Sequence, residues 1–153
     1  NRRRLLRWQE RVDNWAHSDE LSSHFSKMLE HDPGALMPVF EKWNASKKPW
    51  FKRQSLVGLL FYSRFRKRKP AVKVLLKFIA RHLDDEHYYV QKGIGWALRE
   101  SWNVYPRETF AFLEKNAGKI PPVGWTAATE KLARKDKSRL TKLRQEARSA
   151  TRS

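Results

Sequence analysis

Apolar residues recur every three or four positions along almost the whole chain, which is the spacing of one face of an α-helix. Alternating apolar and polar stretches, which would indicate β-strands, are nearly absent. Proline and glycine interrupt the helical pattern and mark its turns, as in His31–Gly34 and at Lys69-Pro70. The pattern therefore predicts an all-α chain with helices at about 3–13, 18–30, 35–45, 49–65, 70–83, 86–101, 107–117 and 122–134.

The second predicted helix begins with a partial capping signal. Ser18 stands at the N-cap position, and the negative charges of Asp19 and Glu20 suit the first turn of a helix. If the helix begins at Ser18, Trp15 precedes it. It shares a face with Asp19 only if the helix begins early enough to include it.

The apolar pattern weakens after about residue 134, where basic residues become frequent. We expect this segment to be frayed, or helical only against a partner. The predicted division is a helical repeat domain over 1–133 and a basic C-terminal helix or tail over 134–153. The basic residues of this segment are Arg134, Lys135, Lys137, Arg139, Lys142, Arg144, Arg148 and Arg152.

Two of the predicted helices begin alike. Trp50–Arg53 and Tyr89–Lys92 each start with an aromatic residue, carry a base at the fourth position and lead into an apolar stretch that contains glycine. Their starts lie 39 residues apart. A period near 40 made of paired helices predicts a HEAT-like repeat solenoid, in which one helix of each pair lines a concave groove. Arg53 and Lys92 would occupy equivalent places along that groove.

The charge balance favours a polyanionic partner. Lys and Arg total 33 against 16 Asp and Glu, which gives a net charge of +17. Such an excess opposes compaction by self-repulsion unless a polyanion neutralises it. Nucleic acid is the commonest such partner and an acidic membrane surface is the next. Basic clusters at predicted helix ends suit salt-sensitive contacts to phosphates: Lys47-Lys48, Lys52-Arg53 and Arg64 to Lys69.

Several classes of function are excluded or disfavoured. The absence of cysteine excludes disulfides, thiol catalysis and cysteine-based zinc sites. The longest apolar run, Leu56 to Tyr62, is too short to span a bilayer. His17, His24 and His31 recur every seven residues, about two helical turns apart, so they do not suit a shared metal ion. We expect a monomer in the cytoplasm, associated with the nucleoid if the source is bacterial, with no metal, no cofactor and no membrane.

Three segments together resemble the DNA alkylation repair enzyme family (AlkC/AlkD-like), above all its AlkD-type HEAT-like repeat DNA glycosylases. The segments are Asp13–Asp19, Trp50–Val57 and Val90–Glu100, and the last is the most specific. Their order and intervals also resemble the family, and the likeness covers roughly residues 10–118. The family carries further helices before the first segment, which we expect to be missing here.

The resemblance implies a right-handed superhelix of antiparallel helix pairs with a basic concave groove. It also implies a glycosylase that acts on N3- and N7-alkylated purines in double-stranded DNA. Carried onto this sequence, Asp19 is the catalytic carboxylate, Trp15 and Trp96 are cleft walls, and Arg53 is the partner of a phosphate or of the carboxylate. The expected DNA contacts are Arg53, Lys92, Arg99, Lys47, Lys48 and Lys52.

These residue types suit that chemistry. A purine alkylated at N3 or N7 carries positive charge and is already a good leaving group. Catalysis then needs stabilisation of the positive charge that develops on the sugar, which an ionised carboxylate such as Asp19 supplies. Aromatic faces at Trp15 and Trp96 would favour a cationic base, and Arg53 would hold the carboxylate by bidentate pairing.

Each of these residues also has an ordinary structural interpretation. Asp19 near a helix start would be a cap or a dipole partner, Trp15 and Trp96 would be core residues, and Arg53 would be a solvated groove residue. Two other functions remain open: a non-catalytic HEAT-like nucleic-acid-binding module and a protein-binding repeat scaffold. The remaining tryptophans are assigned to packing or interfaces: Trp8, Trp43, Trp50, Trp102 and Trp125.

Overall fold

The computed structural model describes all residues, Asn1–Ser153, and every regular element in it is helical. This confirms the all-α fold class. None of the helices combines the length and the apolar character needed to cross a bilayer. The α-helices are α1 (Arg2–Gln9), α2 (Trp15–His31), α3 (Pro33–Asn44), α4 (Pro49–Val57), α5 (Val72–Ala80), α6 (Tyr88–Val104), α7 (Pro106–Asn116), α8 (Pro122–Thr129) and α9 (Arg134–Arg152).

The helices pack in two layers. In the first layer, α2 contacts α4, α4 contacts α6, and α6 contacts α8. In the second, α5 contacts α7 and α7 contacts α9, while α3 packs on α2 and α4. The core lies between the layers and contains large side chains with almost no exposed surface, each worth about 1.5–3 kcal/mol on burial. Its largest members include Phe25, Phe40, Phe78, Leu56, Ile94, Leu98 and Leu113.

Helix α2 begins three residues earlier than the sequence pattern predicts, because Asn14 caps it. The Asn14 side chain accepts a hydrogen bond of 3.0 Å from the backbone N–H of His17. The expected cap at Ser18 is wrong, since Ser18 is buried and its hydroxyl donates to Gln54 Oε1 at 3.2 Å. Trp15 and Asp19 consequently stand on one helix, four residues apart and on one face.

The single helix predicted over 49–65 is also wrong in its second half. Helix α4 ends at Val57, and two short 3₁₀ helices follow, Gly58–Leu60 and Ser63–Phe65. Between them Tyr62 has a φ of 49°, the left-handed region that bulky residues rarely enter. We call residues 62–69 the basic turn. Carboxylates elsewhere in the fold bind its backbone, and such bonds are invisible to a local periodicity.

Of the two forms expected for the C-terminal segment, a helix or a frayed tail, the structure has the helix. Residues Arg134–Arg152 form helix α9, which docks on α7. Leu140 is fully buried, and Arg144 donates to the carbonyls of Ala117 and Ile120 at 2.6 and 2.7 Å. Burial, together with the nearby positive charge of Arg148, lowers the pKa of Arg144 to about 10, so it stays charged at neutral pH.

Two glycines bring α6 and α8 into backbone contact. A Cβ atom on Gly95 would lie 2.7 Å from the carbonyl oxygen of Gly124, and one on Gly124 would lie 2.9 Å from that of Gln91. Because neither position has room for a side chain, the two helices approach more closely than larger residues allow. This contact places Ala127 of α8 against the face of α6 that forms the candidate site.

Candidate functional site

A cavity of about 430 Å³ opens on the layer formed by α2, α4, α6 and α8, and each of the four helices contributes to its wall. All four residues predicted to be catalytic line this cavity, together with the predicted DNA contacts Lys92 and Arg99. The full lining is Trp15, Asp19, Arg53, Tyr88, Tyr89, Lys92, Trp96, Arg99 and Ala127.

Asp19 and Arg53 form an ion pair inside the cavity. Arg53 Nη2 donates to Asp19 Oδ1 at 2.9 Å, and Arg53 Nη1 donates to the Tyr89 carbonyl oxygen at 2.9 Å. The expected bidentate pairing is therefore wrong, because the two arms of the guanidinium serve different helices. The Asp19 side chain remains 35% exposed while that of Arg53 is 8% exposed. The carboxylate is thus held by a buried cation and is still partly exposed where it lines the cavity.

A buried polar network fixes α2 against α4 beneath this ion pair. Ser18 Oγ donates to Gln54 Oε1, Gln54 Nε2 donates to Ser22 Oγ at 2.7 Å, and Ser22 Oγ donates to the Ser18 carbonyl at 2.8 Å. The side chains of Ser18, Ser22 and Gln54 all have partners within this network. Buried networks that are satisfied in this way specify one arrangement of the helices they join. The network therefore sets the separation of Asp19 and Arg53.

The two tryptophans of the cavity differ in exposure. Trp15 is 53% exposed, so it is not a core residue. Trp96 is half-buried, with its ring stacked on Phe61 at 5.3 Å and meeting the edge of Tyr62 at 5.0 Å. Arg99 covers the Trp96 ring, with its Cζ atom 4.6 Å from the ring centroid. Trp96 therefore combines the two predicted roles of packing residue and cleft wall, because it packs on its neighbours and also lines the cavity.

Sequence reasoning missed Tyr88 and Tyr89 as lining residues. Tyr88 is 52% exposed beside Lys92, whose Nζ lies 5.9 Å from its ring centroid. Tyr89 supplies the carbonyl that Arg53 binds. A signal for Tyr88 was present, because Tyr88, Lys92, Trp96 and Arg99 follow one another at spacings of four, four and three on α6. That spacing puts all four side chains on one helical face.

The cations predicted to contact DNA are not all at the cavity. Arg99 lines it and pairs with Glu130 at 2.9 Å, while Lys92 lines it as an exposed side chain. Lys47, Lys48 and Lys52 do not line the cavity. Their role as DNA contacts stays a prediction.

Lys52 is engaged within the protein. Its Nζ lies 2.6 Å from Asp85 Oδ2. Burial opposes ionisation of Asp85, but hydrogen bonds from Lys52 and from the His87 backbone N–H outweigh it, so the pKa of Asp85 lies below its usual value. The structure also holds no group of three or more histidine, aspartate or glutamate side chains arranged around a possible metal ion.

Comparison with known protein families gives a match over most of the chain. A family model described as DNA alkylation repair enzyme matches residues 2–132, which include α1 to α8 and the whole cavity. Comparison with individual curated proteins and with solved structures gives no significant match.

Proposed function

The chain belongs to the DNA alkylation repair enzyme family, and on this premise we propose that it is a DNA glycosylase of the AlkD type. Its substrates would be positively charged purines alkylated at N3 or N7 in duplex DNA. The observation that carries the proposal is the Asp19 carboxylate, partly exposed in a cavity that it shares with Trp15 and Trp96, and held there by buried Arg53.

The proposed reaction breaks the bond between the sugar C1′ and N9 of the purine. The bonding electron pair goes to the base, which leaves as a neutral alkylpurine because it begins with a positive charge. The sugar becomes oxocarbenium-like, and the Asp19 carboxylate stabilises that charge. Water then adds at C1′ and releases a proton, which leaves an abasic site. No strong general acid is needed, because the leaving group is already activated.

The aromatic walls favour the same substrates. Trp15 and Tyr88 are both more than half exposed, and a cation placed over such a ring face gains about 0.5–2 kcal/mol, whereas the Trp96 ring already packs against Phe61 and Arg99. Neutral purines would gain less from these rings. The cavity would therefore discriminate by charge before any contact to the alkyl group.

The layer of α2, α4, α6 and α8 would be the inner wall of a HEAT-like solenoid with a basic concave groove. Arg53 and Lys92, which the internal repeat makes equivalent, both line the cavity on this layer, which supports the proposal. A net charge of +17 suits a monomer that binds the backbone of double-stranded DNA. Arg53 is itself engaged with Asp19 and Tyr89, and Arg99 with Glu130, so the exposed Lys92 is better placed to meet a phosphate.

The test is release of free base from methylated DNA by the wild-type chain and by Asp19→Asn. We expect the variant to lose at least about 10²-fold in rate, because it lacks the charge that stabilises the sugar cation. Its DNA affinity should stay the same or rise slightly, since one negative charge is removed from the surface that faces phosphates.

The matched control is Asp84→Asn, which removes an exposed carboxylate outside the cavity. It should release base at the wild-type rate. Equal release by wild type and Asp19→Asn would contradict the assignment of Asp19. No release by either, with DNA binding retained, would favour the non-catalytic nucleic-acid-binding module.

A further inference from the structure

The basic turn adjoins the candidate site, yet the proposed reaction makes no use of it. A second cavity of about 540 Å³ is lined by Tyr62, Arg64 and Lys69 of the turn and by Arg99, which also lines the cavity of Asp19. On the other side of the turn, a third cavity of about 520 Å³ includes Phe65, Arg66, Lys67 and Arg68, with Lys27 from α2. The turn therefore continues the surface of the site past Arg99.

The tip of the turn presents aromatic rings together with positive charge. Phe65 is 61% exposed and Tyr62 is 40% exposed, and the two rings lie side by side with their centroids 6.3 Å apart. The Arg64 guanidinium lies 4.6 Å from the ring centroid of Phe65 and 6.0 Å from that of Tyr62. Aromatic faces set among cations are the composition of surfaces that bind unpaired nucleic acid strands.

Two carboxylates hold the turn in place. Glu100, which is 5% exposed, accepts hydrogen bonds from the backbone N–H and the hydroxyl of Ser63 at 2.9 and 2.6 Å. Glu30 accepts the backbone N–H groups of Lys67 and Arg68 and an Arg66 Nη1 contact at 3.3 Å. The bond from the Arg68 N–H is the main reason that the pKa of Glu30 lies below its usual value, so this anchor stays ionised.

The anchoring engages Arg66 but leaves the side chains of Lys67 and Arg68 without an ion pair. The carboxylate of Glu30 binds the backbone of Lys67 and Arg68 rather than their charged ends, and both side chains are exposed. Arg64 is exposed and makes its close contacts only with aromatic rings. The left-handed backbone at Tyr62 is strained, and such strain persists where the surrounding structure imposes it, often at functional sites.

We propose that the basic turn is a second nucleic-acid contact that binds an unpaired stretch of a DNA strand next to the cavity. Arg64 and Arg68 bind phosphates, and the open face of Phe65 stacks on an exposed base. The inference rests on the proposed function only in that the partner is DNA. It requires neither an alkylated base nor cleavage of a glycosidic bond.

The first experiment measures the affinity of the wild-type chain, Phe65→Ala and Trp8→Ala for two duplexes without alkylated bases. One duplex is fully paired and the other contains a short run of unpaired bases. Wild type should bind the second more tightly. Phe65→Ala should lose on the order of tenfold affinity for it and little for the paired duplex, because stacking is available only to an unpaired base.

Trp8→Ala is the matched control, since Trp8 is 46% exposed on α1 and lies outside all three cavities. It should bind as wild type does. The proposal is overturned if wild type shows no preference for the unpaired duplex, or if Phe65→Ala keeps that preference. Phe65 is exposed, so thermal unfolding should show the variant folded, and a binding loss then reports on the surface.

The second experiment measures how the affinity for the duplex with unpaired bases depends on salt, because the proposed phosphate contacts are made to the unpaired stretch. Removing two such contacts with Arg64→Ala/Arg68→Ala should lower the slope of log affinity against log salt by about 1.4. The control Lys73→Ala/Arg107→Ala removes the same charge from exposed positions on α5 and α7 and should leave the slope unchanged. Equal slopes for the two double variants would overturn the phosphate contacts.

The two proposals fail separately. Asp19→Asn should retain the preference for unpaired DNA if the basic turn is responsible. If the wild-type chain releases no base but keeps its preference for unpaired DNA, only the glycosylase proposal is contradicted. If Phe65→Ala releases base normally and neither duplex affinity changes, only the proposal for the basic turn is contradicted.

Discussion

Arg53 joins three helices through one guanidinium. It extends from α4, binds the Asp19 carboxylate on α2 and binds the Tyr89 carbonyl on α6. Only a planar fork with several donors satisfies acceptors in two directions, and lysine offers a single charged point instead. The residue is thus a positioning group for Asp19, and its burial protects the ion pair from screening by salt.

We expect Arg53→Lys to lose about 1–3 kcal/mol in the free energy of unfolding, because one buried acceptor is left unsatisfied. Base release should slow by on the order of tenfold. Arg53 is itself held by the Tyr89 carbonyl, and a lysine that lacks this second bond would fix the Asp19 carboxylate less well. Urea unfolding and base-release kinetics measure the two effects. Arg139→Lys, at a pair whose arginine side chain is 63% exposed, should change neither, and an unaffected Arg53→Lys variant would contradict the positioning role.

The sequence predicted which side chains form the site better than it predicted the hydrogen bonds between them. Trp15 and Asp19 shared a helical face once the helix included both, and the internal repeat brought Arg53 and Lys92 to one layer. The Tyr89 carbonyl and the network through Gln54 were not foreseeable in this way, because backbone acceptors and buried amides carry no periodic signal. They follow from how the helices pack.

The contact of α6 with α8 depends on the absence of side chains at Gly95 and Gly124. Alanine at position 95 gains helix propensity worth about 1 kcal/mol, yet its methyl group would stand 2.7 Å from a backbone oxygen that belongs to another helix. Backbone cannot rotate away as a side chain does, so overpacking outweighs propensity at this position. The shape of the cavity near Ala127 depends on the same contact.

Gly95→Ala should therefore lower the free energy of unfolding by about 1–3 kcal/mol and should also slow base release. Gly34→Ala is the matched control, because a Cβ there meets only the Asp32 side chain at 3.8 Å, and it should be neutral or slightly stabilising. Thermal or urea unfolding of the two variants makes the comparison. A Gly95→Ala variant as stable as Gly34→Ala would show that α6 and α8 are not in close contact.

His82 follows α5 and is buried, which should make the stability of the protein depend on pH. Burial lowers the pKa of His82 below its usual value of 6.5, and its Nε2–H donates to the Asn44 carbonyl at 2.8 Å. Above pH 6.5 the imidazole is neutral in both the folded and the unfolded chain, so it contributes no pH dependence. Below that pH the unfolded chain takes up the proton first, which favours unfolding.

Stability should therefore fall as the pH drops below 6.5, until the folded-state pKa of His82 is reached. His82→Gln should reduce this slope in urea unfolding followed across pH 5 to 7. His24→Gln, which replaces an exposed imidazole, should retain the wild-type slope. A slope that is unchanged in His82→Gln would contradict the burial of a neutral imidazole at this position.

Helical periodicity was sufficient for the fold class and for most helix boundaries, but it failed where tertiary contacts override local pattern. The helix predicted over 49–65 ends at Val57, and in its predicted second half the Ser63 backbone N–H donates to Glu100 of α6 instead of to a helical carbonyl. The segment after residue 134 looked too polar to order, yet Leu140 and Arg144 are buried where α9 docks and Leu143 packs against the core. A few apolar residues and a buried guanidinium do not register in an average over a charged helix.

The whole molecule is a strongly basic, layered arrangement of helices. The cavity that contains Asp19 brings a carboxylate together with cationic and aromatic side chains. Family membership assigns the chain to repair of alkylated DNA, and the match over residues 2–132 leaves α9 outside it. We propose more narrowly that the site hydrolyses the glycosidic bond of alkylated purines because these bases are positively charged. Substrate charge is therefore the variable to change.

The most direct measurement compares base release from two duplexes of identical sequence, one with N7-methylguanine and one with O6-methylguanine at the same position. Both lesions carry one added methyl group, but only the first is cationic. We predict release of free base and formation of an abasic site from the N7-methylguanine duplex alone. Release from both duplexes at similar rates, or from neither while both are bound, would contradict the account.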